Sequence, residues 1–233
     1  MEKILDKNEK KISVMFDSIA SKYDWMNHGM SLGIDRIWRR RFVRKLAKEM
    51  QADMPAVLDL ACGTGDLTKA MALRGWLVTG LDISSEMMAV AKEKCRDLDP
   101  HPAFVLGSAE SIPFADDSFD AVTIAFGLRN FDHRAHCLQE IRRVLKPGGQ
   151  LAVLEFAEPK NRLWRAIYLF YFKHAMRLMG RLIGRASAYG YLVDSVQAFP
   201  RYEALIAEFL AAGFSQATYQ SYSGGIAVAY FAQ

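Results

Sequence analysis

An α/β fold is the class this sequence predicts: a mostly parallel twisted sheet with helices on both faces, closed by a C-terminal antiparallel hairpin. Three observations carry that expectation. Between residues 56 and 156, short apolar runs alternate with stretches of helical period, the pattern of repeated βαβ units. The first run, Val57-Leu58-Asp59-Leu60-Ala61, passes into a helical segment through Cys62-Gly63-Thr64-Gly65, a loop without bulky side chains. Near the C-terminus, Ser215–Tyr222 and Ile226–Phe231 alternate with the period of strands on either side of Gly224-Gly225.

The elements follow in chain order. Residues 1–50 read as a helical region in front of the sheet, a lid or substrate-binding segment, and 51–233 as the sheet domain. Strands are expected at 56–61, 77–82, 103–108, 120–126 and 150–156, and helices at 66–74, 84–97 and 132–145. Ser84 offers an N-cap hydroxyl, with Glu86 in the first turn to complement the helix dipole. The helix from Asp132 has to stop at Lys146-Pro147-Gly148-Gly149, which cannot continue it. A helical insertion spans 160–199, and a helix at 201–212 leads into the hairpin. In such sheets ligands bind outside the carboxyl ends of the strands, where strand order reverses. Asp59, Asp82, Ser108 and Phe126-Gly127 all fall at such ends.

Two segments carry charge patterns of their own. The run from Arg36 to Lys45 reads as a solvated helix face. In the insertion, Arg162, Arg165, Lys173, Arg177 and Arg181 share one helical face, while Trp164, Ile167, Tyr168, Tyr171 and further apolar residues (Ala175, Leu178, Leu182) crowd the opposite one. Two readings stand side by side for that stripe: amphipathic packing onto the sheet, or a lid that meets an apolar substrate at a membrane surface.

Composition narrows the function classes. With 233 residues and 51% hydrophobic content, the chain can bury a full core. A net charge of +4 is too slight to argue for nucleic acid. Cys62, Cys95 and Cys137 are widely spaced without a CxxC pair, as expected of reduced thiols in a cytoplasmic protein rather than of a metal site. Residues 1–11 are charged and lack the apolar core of a signal peptide, and no run near the length of a membrane span is free of charge.

The glycine loop points to a nucleoside-containing cofactor. The second strand ends at Asp82, whose carboxylate can accept both hydroxyls of a ribose. A dinucleotide fingerprint wants a third glycine where this chain has Thr68. Carboxylates at Asp59 and Asp66 on the loop rim suit no pyrophosphate but do suit a sulfonium cation with an amino-acid tail. S-adenosylmethionine therefore fits this loop better than NAD.

Several longer motifs are more specific. They are Phe16-Asp17-Ser18-Ile19-Ala20-Ser21-Lys22-Tyr23-Asp24-Trp25-Met26-Asn27, Phe126-Gly127-Leu128-Arg129-Asn130, Arg143-Val144-Leu145-Lys146-Pro147-Gly148-Gly149, and Tyr189-Gly190-Tyr191-Leu192. With these the chain, from about residue 12 to 228, resembles the ubiquinone/menaquinone biosynthesis C-methyltransferases (UbiE/MenG type), within the class I S-adenosylmethionine-dependent methyltransferases with their Rossmann-like fold. The resemblance implies methylation of a prenylated quinol, demethylmenaquinol or 2-methoxy-6-polyprenyl-1,4-benzoquinol. It implies cofactor contacts at Thr64, Asp82, Ser108 and Ala109, with Asp59, Gly63 and Gly65 shaping the loop. The family often has an aspartate in place of Ser108, a serine at Ala125 and a histidine at Asp35. A methyltransferase of another small aromatic or lipid-like acceptor, and a non-catalytic scaffold, are the competing readings.

The implied chemistry asks for an electron-rich ring carbon held behind the sulfonium methyl, with the neighbouring hydroxyl ionised. Arg129 is the candidate that steadies the oxyanion; its alternative role is to pair with an acid such as Glu155 and hold the loop. Tyr23, Asp24 and His28 are the candidate bases, although Tyr23 and Asp24 could instead cap the lid and His28 could be a turn residue. Asn130, Tyr189 and Tyr191 are candidates for the substrate pocket, and the two tyrosines read equally as core. Expected partners are the quinol, a membrane surface touched peripherally and a second copy of the chain, with no nucleic acid and no metal.

Overall fold

The structure is a computed structural model. It describes the backbone of residues 7–50, 52–183 and 186–233, and their side chains except those at 30, 173, 175–183 and 186–189. Three helices come first: α1 (Glu9–Asp17), α2 (Ala20–Met30) and α3 (Ile34–Glu49). The Asn8 side chain caps α1 by accepting from Lys10 N at 3.1 Å. The turn into α3 runs through Leu32 and Gly33, both at positive φ. The basic run is amphipathic on α3: Arg36, Arg40, Arg41 and Arg44 are exposed, while Trp38, Phe42, Val43 and Leu46 face the core. One arginine departs from the expected solvated face, because Arg39 is buried.

The sheet domain then runs β1 (Ala56–Leu60), α4 (Asp66–Ala72), β2 (Leu77–Asp82), α5 (Ser85–Cys95), β3 (Ala103–Leu106), β4 (Phe119–Ala125), α6 (Arg134–Val144) and β5 (Leu145–Phe156). The insertion forms α7 (Arg162–Ile183) and α8 (Ala186–Ala198), followed by α9 (Glu203–Ala211), β6 (Ala217–Tyr222) and β7 (Ala227–Ala232). Strand order is β3-β2-β1-β4-β5-β7-β6. The first five strands are parallel; β7 is antiparallel to both β5 and β6. The chain winds outward from β1 to β3, then crosses back to β4 on the other side of β1. That reversal places a crevice above β1 and β4.

Core packing follows from this order. One apolar layer gathers Leu58, Ile124, Leu138, Ile141, Val153 and Tyr230; the opposite layer joins α3 and α4 to the sheet through Phe42, Leu46, Met71 and Phe231. Ser84 caps α5 as expected, accepting from Met87 N at 3.1 Å. Two boundaries differ from expectation. β3 ends at Leu106, so residues 107–109 belong to the crevice loop rather than to the strand. β5 begins at Leu145, which pairs with Phe119, and regular pairing resumes at Gln150 opposite Ala121, so Lys146-Pro147-Gly148-Gly149 ends α6 inside an irregular start of the strand.

Candidate active site

The glycine loop is built by close packing. Gly65 opens α4 at φ 78°, and a Cβ there would lie 2.9 Å from Ala91 Cβ on α5. Gly63 is different: a Cβ would meet nothing within 4 Å, because this residue faces an open cleft. Across the crevice, Gly127 approaches β1 so closely that its Cβ would stand 2.8 Å from Ala61 Cβ. Ala61 and Phe126, the residues just past the ends of β1 and β4, are both held at positive φ, at 55° and 59°. Such backbone persists where surrounding structure over-determines it, and it clusters at functional sites.

The first cleft, open to solvent, lies at the ends of β1, β2, β3 and β4. Asp82 lies at its centre. Its Oδ2 accepts from Gly63 N at 2.8 Å and its Oδ1 from Ser84 N at 2.9 Å. A carboxylate can accept about four hydrogen bonds, so two sites remain for a vicinal diol. Burial pushes its pKa up. Gly107, Ala109 and Asn130 also line the cleft, and among the described residues its walls hold no Lys, Arg or His. Its charged lining is Glu9, Asp82 and Glu110, all acidic. That donor set suits a sulfonium-bearing nucleoside and opposes a pyrophosphate.

The other expected loop residues act from behind. Asp59 is buried, not on the rim: it accepts from Thr68 Oγ1 at 2.5 Å and from Thr123 Oγ1 at 2.9 Å. Thr68 thus uses the place of a third glycine to tie α4 to β1. Burial pushes the Asp59 carboxyl up to about 6. Thr64 and Ser108 do not line the cleft. Thr64 donates to Asp24 Oδ1 at 2.5 Å, and Ser108 Oγ donates to Glu9 Oε1 while accepting from Glu110 N at 2.9 Å.

A second, larger cleft adjoins the first. Its walls are mostly apolar and come from α2, α3, α7, α8 and the ends of β4 and β5. Phe16, Tyr23 and Phe126 line both clefts and so form the partition between them. Phe126 stacks on Phe156 with ring centroids 4.3 Å apart, and the Arg39 guanidinium lies 5.3 Å from its ring centroid.

Arg129 reaches this second cleft. Its Nη1 is 3.1 Å from Glu155 Oε2, and Nη1 also donates to Phe126 O. Its backbone N donates to Glu155 Oε1 at 3.1 Å. The pairing with Glu155 is therefore real, yet Arg129 Nε is buried without a partner. Asn130 turns to the first cleft and accepts from Tyr191 OH at 3.2 Å, and Tyr191 lines the second. Burial pushes the Tyr191 phenol up to about 12. The Tyr189 side chain lies outside the described residues.

Of the three candidate bases, only Tyr23 stands at the partition. Burial raises its pKa, so it remains a neutral hydroxyl. Asp24 is held by Thr64 and by Lys94 Nζ at 2.6 Å. His28 Nδ1 is 2.8 Å from Asp35 Oδ2, and its Nε2 is 3.5 Å from Asp66 Oδ2. Neither Asp24 nor His28 lines either of these two clefts. His28, Asp35 and Asp66 bring ligand atoms within 4.8 Å of one another. Arg39 already contacts Asp35 and lies 3.6 Å from Asp66, while Lys94 Nζ is 2.6 Å from Asp66 Oδ1, so two side-chain cations neutralise the group.

Sequence reasoning missed Glu9, which meets a residue 99 positions away and carries no local signal. It missed Arg39 too, although the spacing of Asp35, Trp38, Arg39, Phe42 and Leu46 marks the buried stripe of α3. Of the apolar face of α7, Tyr168 is buried whereas Trp164, Ile167 and Tyr171 remain 39%, 51% and 43% exposed and line the second cleft. Its Lys173, Ala175, Arg177, Leu178, Arg181 and Leu182 side chains lie outside the described residues.

Fold and cleft together define a class I S-adenosylmethionine-dependent methyltransferase. A solved methyltransferase of that dependence from Thermotoga maritima superposes with a TM-score of 0.66 at 17% identity, covering 94% of this chain and 97% of the other. One from Methanosarcina mazei gives 0.55 at 21% identity over 81% and 95%. The particular family follows from sequence: a model of the ubiE/COQ5 methyltransferase family matches residues 4–233, and the chain belongs to that family. It is 41% identical to a ubiquinone/menaquinone biosynthesis C-methyltransferase UbiE of Geotalea uraniireducens over 99% of this chain and 98% of the relative. It is 41% identical to a demethylmenaquinone methyltransferase of Chlorobaculum parvum over 93% and 89%, and 42% identical to a UbiE of Pseudomonas paraeruginosa over 93% and 86%.

Proposed function

We propose that the chain is the C-methyltransferase of a prenylated quinol in quinone biosynthesis, with demethylmenaquinol as its acceptor and 2-methoxy-6-polyprenyl-1,4-benzoquinol as a second one. The reading agrees with the names of its relatives. One observation carries it: an acid-lined nucleoside cleft meets a larger apolar cleft across Phe16, Tyr23 and Phe126, with a buried arginine beside the junction. S-adenosylmethionine would supply a methyl group on a sulfonium; Gly63 and Asp82 would hold it, and Gly107 with Ala109 would edge its base.

The protein's work on the acceptor is orientation and charge. The apolar walls take the prenyl tail and exclude water from the ring. The Arg129 guanidinium favours the ionised quinol oxygen, which makes the adjacent ring carbon nucleophilic. Glu155 keeps that guanidinium oriented. Tyr23, kept neutral by burial, donates its hydroxyl to a quinol oxygen.

The mouth of the second cleft also fits a bilayer surface. No described helix is long and apolar enough to cross a membrane. Leu32, Ile34, Ile167 and Tyr171 are exposed at the mouth, and Arg36, Arg162 and Arg165 are exposed nearby on the same helices. Apolar residues ringed by cations suit peripheral binding to anionic lipid. Side-by-side turnover of demethylmenaquinol, the benzoquinol and a tail-less phenol tests the acceptor. Methylation of a prenylated quinol is expected; turnover of the tail-less phenol alone sinks the reading.

A further inference from the structure

α1 lies as a strap across the ends of β2 and β3. Ser13 Oγ donates to Ile83 O at 3.1 Å, and Asp17 Oδ1 accepts from Ser84 Oγ at 2.6 Å and from Glu86 N at 3.2 Å. These contacts hold one end of the helix on the β2–α5 turn. The other end carries Glu9, which lines the cofactor cleft and accepts from Ser108 Oγ. An aminopurine attached to a ribose held at Asp82 extends toward β3, where residues 107–110 form the edge. Its exocyclic amino group needs an acceptor there. Ser108 does not line the cleft: its Oγ gives its proton to Glu9 and accepts from Glu110 N. The Glu110 carboxylate is drawn toward His133, whose Nδ1 lies 2.9 Å from Oε1. Glu9 is the carboxylate that a neighbouring hydroxyl orients at that edge.

We propose that Glu9, oriented by Ser108, is the adenine-reading residue of this chain: it accepts the amino group of the base and so selects an aminopurine over an oxopurine. A carboxylate is an acceptor only, so it attracts an amino group and repels a carbonyl oxygen at the same position. The charge comes from a helix 99 residues upstream of the loop it completes, so reading the base also requires α1 to be seated. The inference rests on the cofactor reading above.

Calorimetric titration with S-adenosyl-L-homocysteine and with S-inosyl-L-homocysteine tests it, on protein checked by thermal melting. The wild type should prefer the adenosyl ligand by about tenfold or more, the scale of one charge-assisted hydrogen bond. Glu9→Gln, whose amide can turn a donor to a carbonyl, should weaken the adenosyl ligand about five- to tenfold and bring the preference close to one. Ser108→Ala should move both quantities the same way by less. A wild type that binds neither ligand overturns the cofactor reading itself. Tight adenosyl binding whose preference survives Glu9→Gln unchanged overturns the inference alone and leaves the Glu9–Ser108 contact a tether. Equal loss of both ligands overturns it in the same sense.

Discussion

Arg129 combines two roles that look exclusive on paper. It is ion-paired with buried Glu155 and still lines the acceptor cleft. Arg129→Ala should lower turnover about a hundredfold, the usual scale for removing one preorganised donor. It should also cost about 3–5 kcal/mol of stability, because Glu155 is left charged and alone. The double variant Arg129→Ala/Glu155→Gln separates the effects: stability should return while single-turnover rate does not. Recovery of the rate would leave Arg129 as a loop anchor. Asp59 makes a second prediction. Its folded pKa, about 6, lies above the ordinary value of 3.8, so protonation favours the fold. That contribution is complete below the unfolded pKa and is lost as pH rises through the folded one. Relative to Asp59→Asn, the wild type should gain about 2 kcal/mol between pH 7.5 and pH 4.5 in urea titrations. A constant difference across that window would place the carboxyl in a better-solvated setting.

At the scale of elements, the join between α4 and α5 depends on Gly65. Gly65→Ala puts a methyl group at positive φ and 2.9 Å from Ala91 Cβ. A loss of about 2–4 kcal/mol is expected by chemical denaturation, with weaker cofactor binding, since the loop cannot close without moving a helix. The surface of α7 carries the membrane prediction. Leu163 and Phe170 are 73% and 67% exposed, beside exposed Arg162 and Arg165. The protein should sediment with anionic liposomes at low salt and release as salt screens the attraction. Leu163→Glu with Phe170→Glu should abolish sedimentation without altering binding of S-adenosylhomocysteine. Unchanged sedimentation of that variant would assign α7 to packing alone.

Across the whole molecule, the buried central strands and the more exposed helices of the cleft walls divide the labour. β1, β4, β7 and residues 151–155 of β5 are buried almost along their full length, whereas the described side chains of α1, α2 and α7 are mostly exposed or half-buried and line the clefts. Hydrogen exchange should therefore find the central strands protected to the global limit with or without ligand. Saturating S-adenosylhomocysteine should slow exchange in residues 9–17 and 20–30, because Glu9, Ile12, Phe16 and Tyr23 line the cleft it fills. Unaltered exchange in both helices would mean that the strap closes independently of the cofactor.

The alternation of periods, the β1–Gly63–Gly65–α4 turn, the Ser84 cap and the C-terminal hairpin were all legible in the chain, because each rests on neighbours within a few residues. So was the family, through Phe126-Gly127-Leu128-Arg129-Asn130 and the motif around Tyr23. The partners of most charged side chains were not, the Arg129–Glu155 pair apart. Asp24 and His28 share a helix with Tyr23, yet Thr64, Lys94, Asp35 and Asp66 hold them away from the junction. Asp59 looked like a rim residue until β4 brought Thr123 beside it. Glu9 carried no signal in the sequence; the contact with Ser108 exists because the folded sheet sets the loop after β3 beneath α1. Local sequence sets backbone period and caps through short-range sterics and hydrogen bonds. The partner of a buried charge is set by which distant strands become neighbours, and that is a property of the folded sheet.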